Sequence, residues 1–144
     1  MKLFLDTEFN GFGGGLISLA LVPEDNSIPE FYCEVLMTEQ FDPWVRDNVV
    51  PHLVMPRCLY SEFQIRLANY LRYVGGGCTI VADWPDDIKY FCMALITGPG
   101  EMINPKGKII FELDLSISYT SAVPHNALHD ARGIKESYMK VKNG

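Results

Sequence analysis

Apolar and polar residues follow one another in short blocks along this chain, and the block lengths separate strands from helices. Three runs fill the first third: Leu3 to Glu8, apolar and then acidic; Leu16 to Val22, mostly apolar; and Glu30 to Leu36, mixing aromatic and β-branched residues. The turn signals Asn10-Gly11-Phe12-Gly13-Gly14-Gly15 and Pro23-Glu24-Asp25-Asn26-Ser27 separate them, so an antiparallel meander is predicted. The glycine triplet lacks the Lys-Ser/Thr of a phosphate-binding loop and reads as a flexible turn. Pro43, Pro51 and Pro56 then break residues 41–59 into pieces of one or two helical turns. With Ser61 as its cap, a helix is predicted in which Phe63, Leu67, Tyr70 and Leu71 recur at helical spacing, and Gly75-Gly76-Gly77 ends it.

Cys78 to Ala82 is short and apolar but for Thr79, as a largely buried strand would be. A helix from Pro85 or Asp86 to Ile96 follows, with Ile88, Phe91, Cys92 and Leu95 on one face and Gly98-Pro99-Gly100 as its stop. Ile109 to Leu115 reads as another strand, and Asn126 to about Val141 as the last helix. The order β-β-β-α-β-α-β-α predicts one α/β domain over residues 1–144, with a mixed five-stranded sheet flanked by helices. The ends of the first and fourth strands would then lie side by side. Ligand sites in open α/β sheets lie beyond such carboxyl ends.

Acidic residues fall at those ends. Alternate strand residues share a face, so Asp6 and Glu8 point the same way and Thr7 the other. Asp83, Asp86 and Asp87 follow the fourth strand, and His125 and Asp130 stand five apart at the start of the last helix. Carboxylates brought together from distant segments repel unless cations lie between them, and hard oxygen ligands suit Mg²⁺ or Mn²⁺. A neutral imidazole at His125 could take a proton from water attacking a phosphate. Asp86 could instead cap its helix. His52, between Pro51 and Leu53, reads as structural.

Composition narrows the setting. With 48% hydrophobic and 21% charged residues, the chain has the make-up of a globular protein. No apolar run approaches the roughly 18 residues of a membrane span, and Met1 to Leu5 reaches Asp6 too soon for a signal peptide, so a cytoplasmic location is expected. Cys33, Cys58, Cys78 and Cys92 form no Cys-x-x-Cys pair and read as reduced, largely core residues. The net charge of −6 argues against a strong grip on long nucleic acid, although two divalent cations would bring it to −2. A short substrate held at one end fits better.

Taken together, Asp6-Thr7-Glu8-Phe9, an Asp on the helix after the fourth strand, and His125-x4-Asp130 resemble the DEDDh 3′-to-5′ exonucleases of the ribonuclease-H-like superfamily. Proofreading subunits, oligoribonuclease and ribonuclease T belong to that group. The size looks most like the small bacterial or phage exoribonucleases that trim adenylate-rich RNA. The resemblance implies two Mg²⁺ or Mn²⁺ ions held by Asp6, Glu8, Asp87 and Asp130, with Asp6 bridging both and His125 as general base. The second motif departs from the usual Asn-x-x-x-Asp. Asp87 is chosen over Asp83 and Asp86 because Tyr90 and Phe91 follow it at the core-facing i+3 and i+4 positions. By the same likeness the substrate is single-stranded RNA, contacted by Phe9 and by Phe12 or Trp84, and a homodimer is an expected assembly. A DNA exonuclease of the same fold and a catalytically silent binding module are the rival readings.

Overall fold

The computed structural model describes residues 1–144. Its centre is a five-stranded mixed sheet of order β3-β2-β1-β4-β7, formed by β1 (Lys2–Phe9), β2 (Leu16–Pro23), β3 (Phe31–Glu34), β4 (Cys78–Ala82) and β7 (Ile109–Leu113). The first three strands run antiparallel as a meander. β4 then joins β1 in parallel, and β7 joins β4 in parallel, each after a helical crossover. The chain is thus α/β, with helices on both faces of the sheet.

Burial follows from alternation. Leu3, Leu5, Leu19, Leu21 and Ile80 face α2 (Tyr60–Val74) and α3 (Pro85–Leu95), where Phe63, Leu67 and Phe91 complete the larger core. Phe4, Ala20, Val22 and Val81 face α4 (Ala127–Asn143) and meet Ala131, Ile134 and Tyr138. Gly133 lets the loop that precedes α4 lie close against the helix; a Cβ there would stand 2.7 Å from the Thr120 carbonyl oxygen. A third, small cluster of Ile17, Val45 and Val49 docks α1 (Pro43–Asn48) and the 3₁₀ turn Val50–His52 beside the meander.

Four local expectations change. Ser61 does not cap α2, whose N-cap position is Leu59, and Asp86 does not cap α3, whose N-cap position is Trp84; neither cap makes a side-chain bond. Gly98-Pro99-Gly100 is more than a helix stop. It turns a small hairpin of β5 (Ile96–Gly98) and β6 (Glu101–Met102). The glycine triplet is pinned, not flexible: Asn10 N–H donates to the Gly15 carbonyl at 2.9 Å, Gly15 N–H to Glu39 Oε1 at 2.6 Å, and the Tyr90 hydroxyl to the Gly14 carbonyl. All four cysteines are free thiols, and no helix is long and apolar enough to cross a membrane.

Candidate metal centre

The carboxyl end of β1 divides its side chains between two layers. Asp6 and Glu8 continue the Phe4 face toward α4, while Thr7 continues the Leu3 and Leu5 face toward α3. Asn126 starts α4 by accepting from the N–H groups of Leu128 (3.1 Å) and His129 (3.2 Å). That cap sets the first turn so that Asp130 meets Asp6 and Glu8. Asp87, in the first turn of α3, meets Thr7: its Oδ1 accepts from the Thr7 hydroxyl at 2.6 Å and the Thr7 N–H at 3.1 Å.

Two carboxylate groups result, and they share one member. Ligand oxygens of Asp6, Glu8 and Asp130 lie within 4.8 Å of one another, and so do those of Asp6, Asp83 and Asp87. Asp6, Asp87 and Asp130 are buried. Asp6 Oδ2 and Asp130 Oδ1 have no hydrogen-bond partner. The four ion pairs of the chain, Arg46–Asp47, Lys89–Asp86, Arg132–Glu30 and Lys140–Glu136, involve none of the five residues. Asp86 faces Lys89 and the Trp84 indole N–H, so of the three sequence alternatives Asp83 and Asp87 stand beside Asp6 and Asp86 does not.

The electrostatic cost is visible in the acidities. Burial, then the neighbouring charges of Asp87, Glu8, Asp130 and Asp83, hold the Asp6 carboxyl well above the ordinary range. Burial and Asp130 push Glu8 up to about 8. Burial likewise pushes Asp87 to about 7, against the opposing pull of the Thr7 hydrogen bonds. Asp83 is raised by burial, with a smaller contribution from Asp130. An all-oxygen donor set, with two buried oxygens lacking any donor and no cationic side chain to neutralise it, fits a hard divalent cation.

His125 stands beside this cluster with its backbone in the left-handed region (φ 69°), unusual for a residue with a Cβ. Its N–H donates to Asp130 Oδ2 at 3.2 Å. Its ring packs edge-to-face on Trp44, with centroids 5.1 Å apart. Trp44 was not legible as a site residue, since its segment reads only as short proline-broken turns. The structure ties that segment down: Asp42 caps α1 by accepting the Trp44 N–H, and Asn10, just past β1, accepts from Asp42 N–H and donates to the Gln40 carbonyl. Thr7 was likewise missed. Only its position between two acidic residues, facing the opposite layer, hinted at it.

The remaining candidates are placed differently from one another. Phe12 projects wholly into solvent and Trp84 is mostly exposed, whereas Phe9 is half-buried and stacked on Tyr90 at 4.7 Å. A groove of about 600 Å³ runs beside the glycine turn, lined by Leu16, Leu36, Met37, Tyr60, Tyr90 and Met93. A second, of about 500 Å³, lies along α4 near Arg132 and Lys135. The carboxylates line neither. No protein-family profile matches the chain, and no curated protein does.

Proposed function

We propose that the chain is a metal-dependent 3′-to-5′ exonuclease of the DEDDh type in a ribonuclease-H-like fold, releasing nucleoside 5′-monophosphates from single-stranded RNA. The observation that carries this reading is the sharing of buried Asp6 between two carboxylate groups drawn from β1, the β4–α3 connection, the first turn of α3 and α4. Folding alone has no use for such a convergence, because each added carboxylate raises the cost of the others. The sheet order and the antiparallel direction of β2 support the fold assignment.

In this reading Asp6, Glu8, Asp87 and Asp130 hold two Mg²⁺ or Mn²⁺ ions, with Asp83 at the margin of the second group. Bound there, the ions supply charge neutralisation at the scissile phosphate and a lowered pKa for water. The chain's own groups do the rest. Thr7 fixes the Asp87 carboxylate, Trp44 limits the swing of the His125 ring, and His125 takes the proton of the attacking water. Phe12 and Trp84 offer exposed faces on which terminal bases can stack. The preference for RNA rests on the likeness to small exoribonucleases.

Digestion of 3′-labelled and 5′-labelled single-stranded RNA and DNA, with Mg²⁺, Mn²⁺ or EDTA, tests the reading beside Asp6→Asn. Metal-dependent loss of 3′ nucleotides by the wild type alone is expected, faster on RNA. A DNA preference would move the protein to the proofreading class, and no cleavage under any condition would leave it a binding module.

A further inference from the structure

Two thiols of the larger core lie against each other. Cys33, on β3, and Cys58, just before α2, are 25 positions apart in the chain, yet their Sγ atoms stand 3.1 Å apart. That is closer than ordinary van der Waals contact. The backbone holds them there: Cys58 N–H donates to the Glu34 carbonyl at 2.9 Å and Leu36 N–H to the Cys58 carbonyl at 2.8 Å, a short parallel bridge beside Val35. Glu34 fastens the same segment again through the N–H groups of Val54 and Met55. Cys78 and Cys92 make no such contact. Within the pair, Cys33 is 1% exposed and Cys58 7%, so an oxidant from solvent meets Cys58 first. Burial, then the adjoining Cys58, pushes the Cys33 thiol up to about 12, with the Arg66 guanidinium pulling the other way. Cys33 therefore keeps its proton.

We propose that Cys33 and Cys58 are a modification site for hydrogen peroxide, which converts the two thiols into one intramolecular disulfide. The small opening at Cys58 suits so small an oxidant. The Cys58 thiolate attacks one peroxide oxygen, the O–O bond breaks, and hydroxide leaves with the electron pair, giving a sulfenic acid. The Cys33 sulfur then attacks the Cys58 sulfur, the S–O bond breaks, and the hydroxyl leaves as water with the Cys33 proton. The hydroxide of the first step takes up the proton that Cys58 lost. Two thiols and one peroxide thus become one disulfide and two waters. Closing from 3.1 Å to an S–S bond of about 2.05 Å needs a shift of roughly 1 Å shared by two side chains. The new bond closes a loop over the segment that carries Trp44, packed on the His125 ring, and His52, whose carbonyl accepts from Asn126. Oxidation therefore ties that brace covalently to the sheet.

Peptide mapping of the wild-type protein reads the site directly, after hydrogen peroxide, iodoacetamide in urea and digestion without reductant. The expected product is one linked pair of peptides carrying Cys33 and Cys58, two hydrogens lighter than the separate peptides and parted by dithiothreitol. In Cys33→Ala the same treatment should leave a sulfenic acid on Cys58 that dimedone traps, whereas Cys58→Ala should leave Cys33 unoxidised. The wild-type mapping decides alone if either variant fails to fold. The oxidised wild type should melt on the order of 5–10 °C above the reduced form, because the bond restricts the unfolded chain. Unlinked, alkylated Cys33 and Cys58, a disulfide made with Cys78 or Cys92, a sulfinic acid at Cys58 in the wild type, or a lower melting temperature on oxidation would overturn the proposal. These readouts are covalent and thermal, so none of them depends on nuclease activity.

Discussion

Two buried carboxylates in this protein have opposite surroundings. Glu34, at the end of β3, is 1% exposed and accepts three bonds, from the Tyr32 hydroxyl (2.5 Å), Val54 N–H (2.8 Å) and Met55 N–H (3.1 Å). Asp6, two strands away, is 7% exposed, has an oxygen with no donor, and is surrounded by four other carboxylates. Glu34 is a finished structural joint, fastening the chain after α1 to the sheet edge. Tyr32 and the His52 carbonyl both accept from Asn126, so the same joint steadies the start of α4. A buried carboxylate is therefore not in itself a sign of chemistry; what marks Asp6 is the missing donor.

That contrast can be broken experimentally, and the largest effects belong to the Asp6 side. Asp6→Asn should abolish turnover yet leave the metal-free melting temperature unchanged or higher, since it removes a charge from the cluster; a large loss of metal-free stability in a thermal melt would contradict this. Under the proposed function, His125→Ala should cut turnover by about 10²–10⁴-fold with metal binding near normal. Calorimetric Mn²⁺ titration beside the kinetic assay checks both halves.

On the other side of the comparison, Glu34→Ala should cost about 3 kcal/mol of stability in urea unfolding, because it removes three hydrogen bonds to a buried carboxylate, from Tyr32, Val54 and Met55. A loss near zero would show that water replaces the carboxylate easily. The smallest effect is the pH slope of the metal-free protein. Glu and Asp ionise in the unfolded chain near 4.5 and 3.8, but native Glu8 keeps its proton up to about 8 and Asp87 up to about 7. Their contribution to stability is whole below about pH 4 and is lost as pH rises toward 8. Melts in EDTA should show that decline, and saturating Mg²⁺ should flatten it.

The sequence exposes the sheet more readily than the site. β1, β2, β4 and α2 are long or strongly patterned enough that burial and periodicity coincide, and the sheet of five strands follows from their order. The β5–β6 hairpin is invisible because its residues, such as Ile96 and Met102, are exposed, so no alternation marks them. The caps at Ser61 and Asp86 fail for a related reason: each residue lies inside the first turn, one position or more past the point where its oxygen could reach a free N–H. At the site, strand alternation suffices to pair Asp6 with Glu8. Choosing among Asp83, Asp86 and Asp87 needs the rotation of α3, and finding Trp44 needs the packing of α1 on Ile17. Contacts of that kind depend on residues more than 80 positions apart, as Trp44 and His125 are.

The glycine turn beside this site carries a lesson about which neighbours evolution can vary. Gly13 has the left-handed backbone (φ 71°) that is usually taken to require glycine, yet a Cβ there would touch nothing within 4 Å. Gly14 lacks that backbone signature, but its Cβ would fall 1.8 Å from the Asn10 carbonyl oxygen. A family of functional variants should therefore admit asparagine or aspartate at Gly13, at a modest conformational cost, and admit no other amino acid at Gly14.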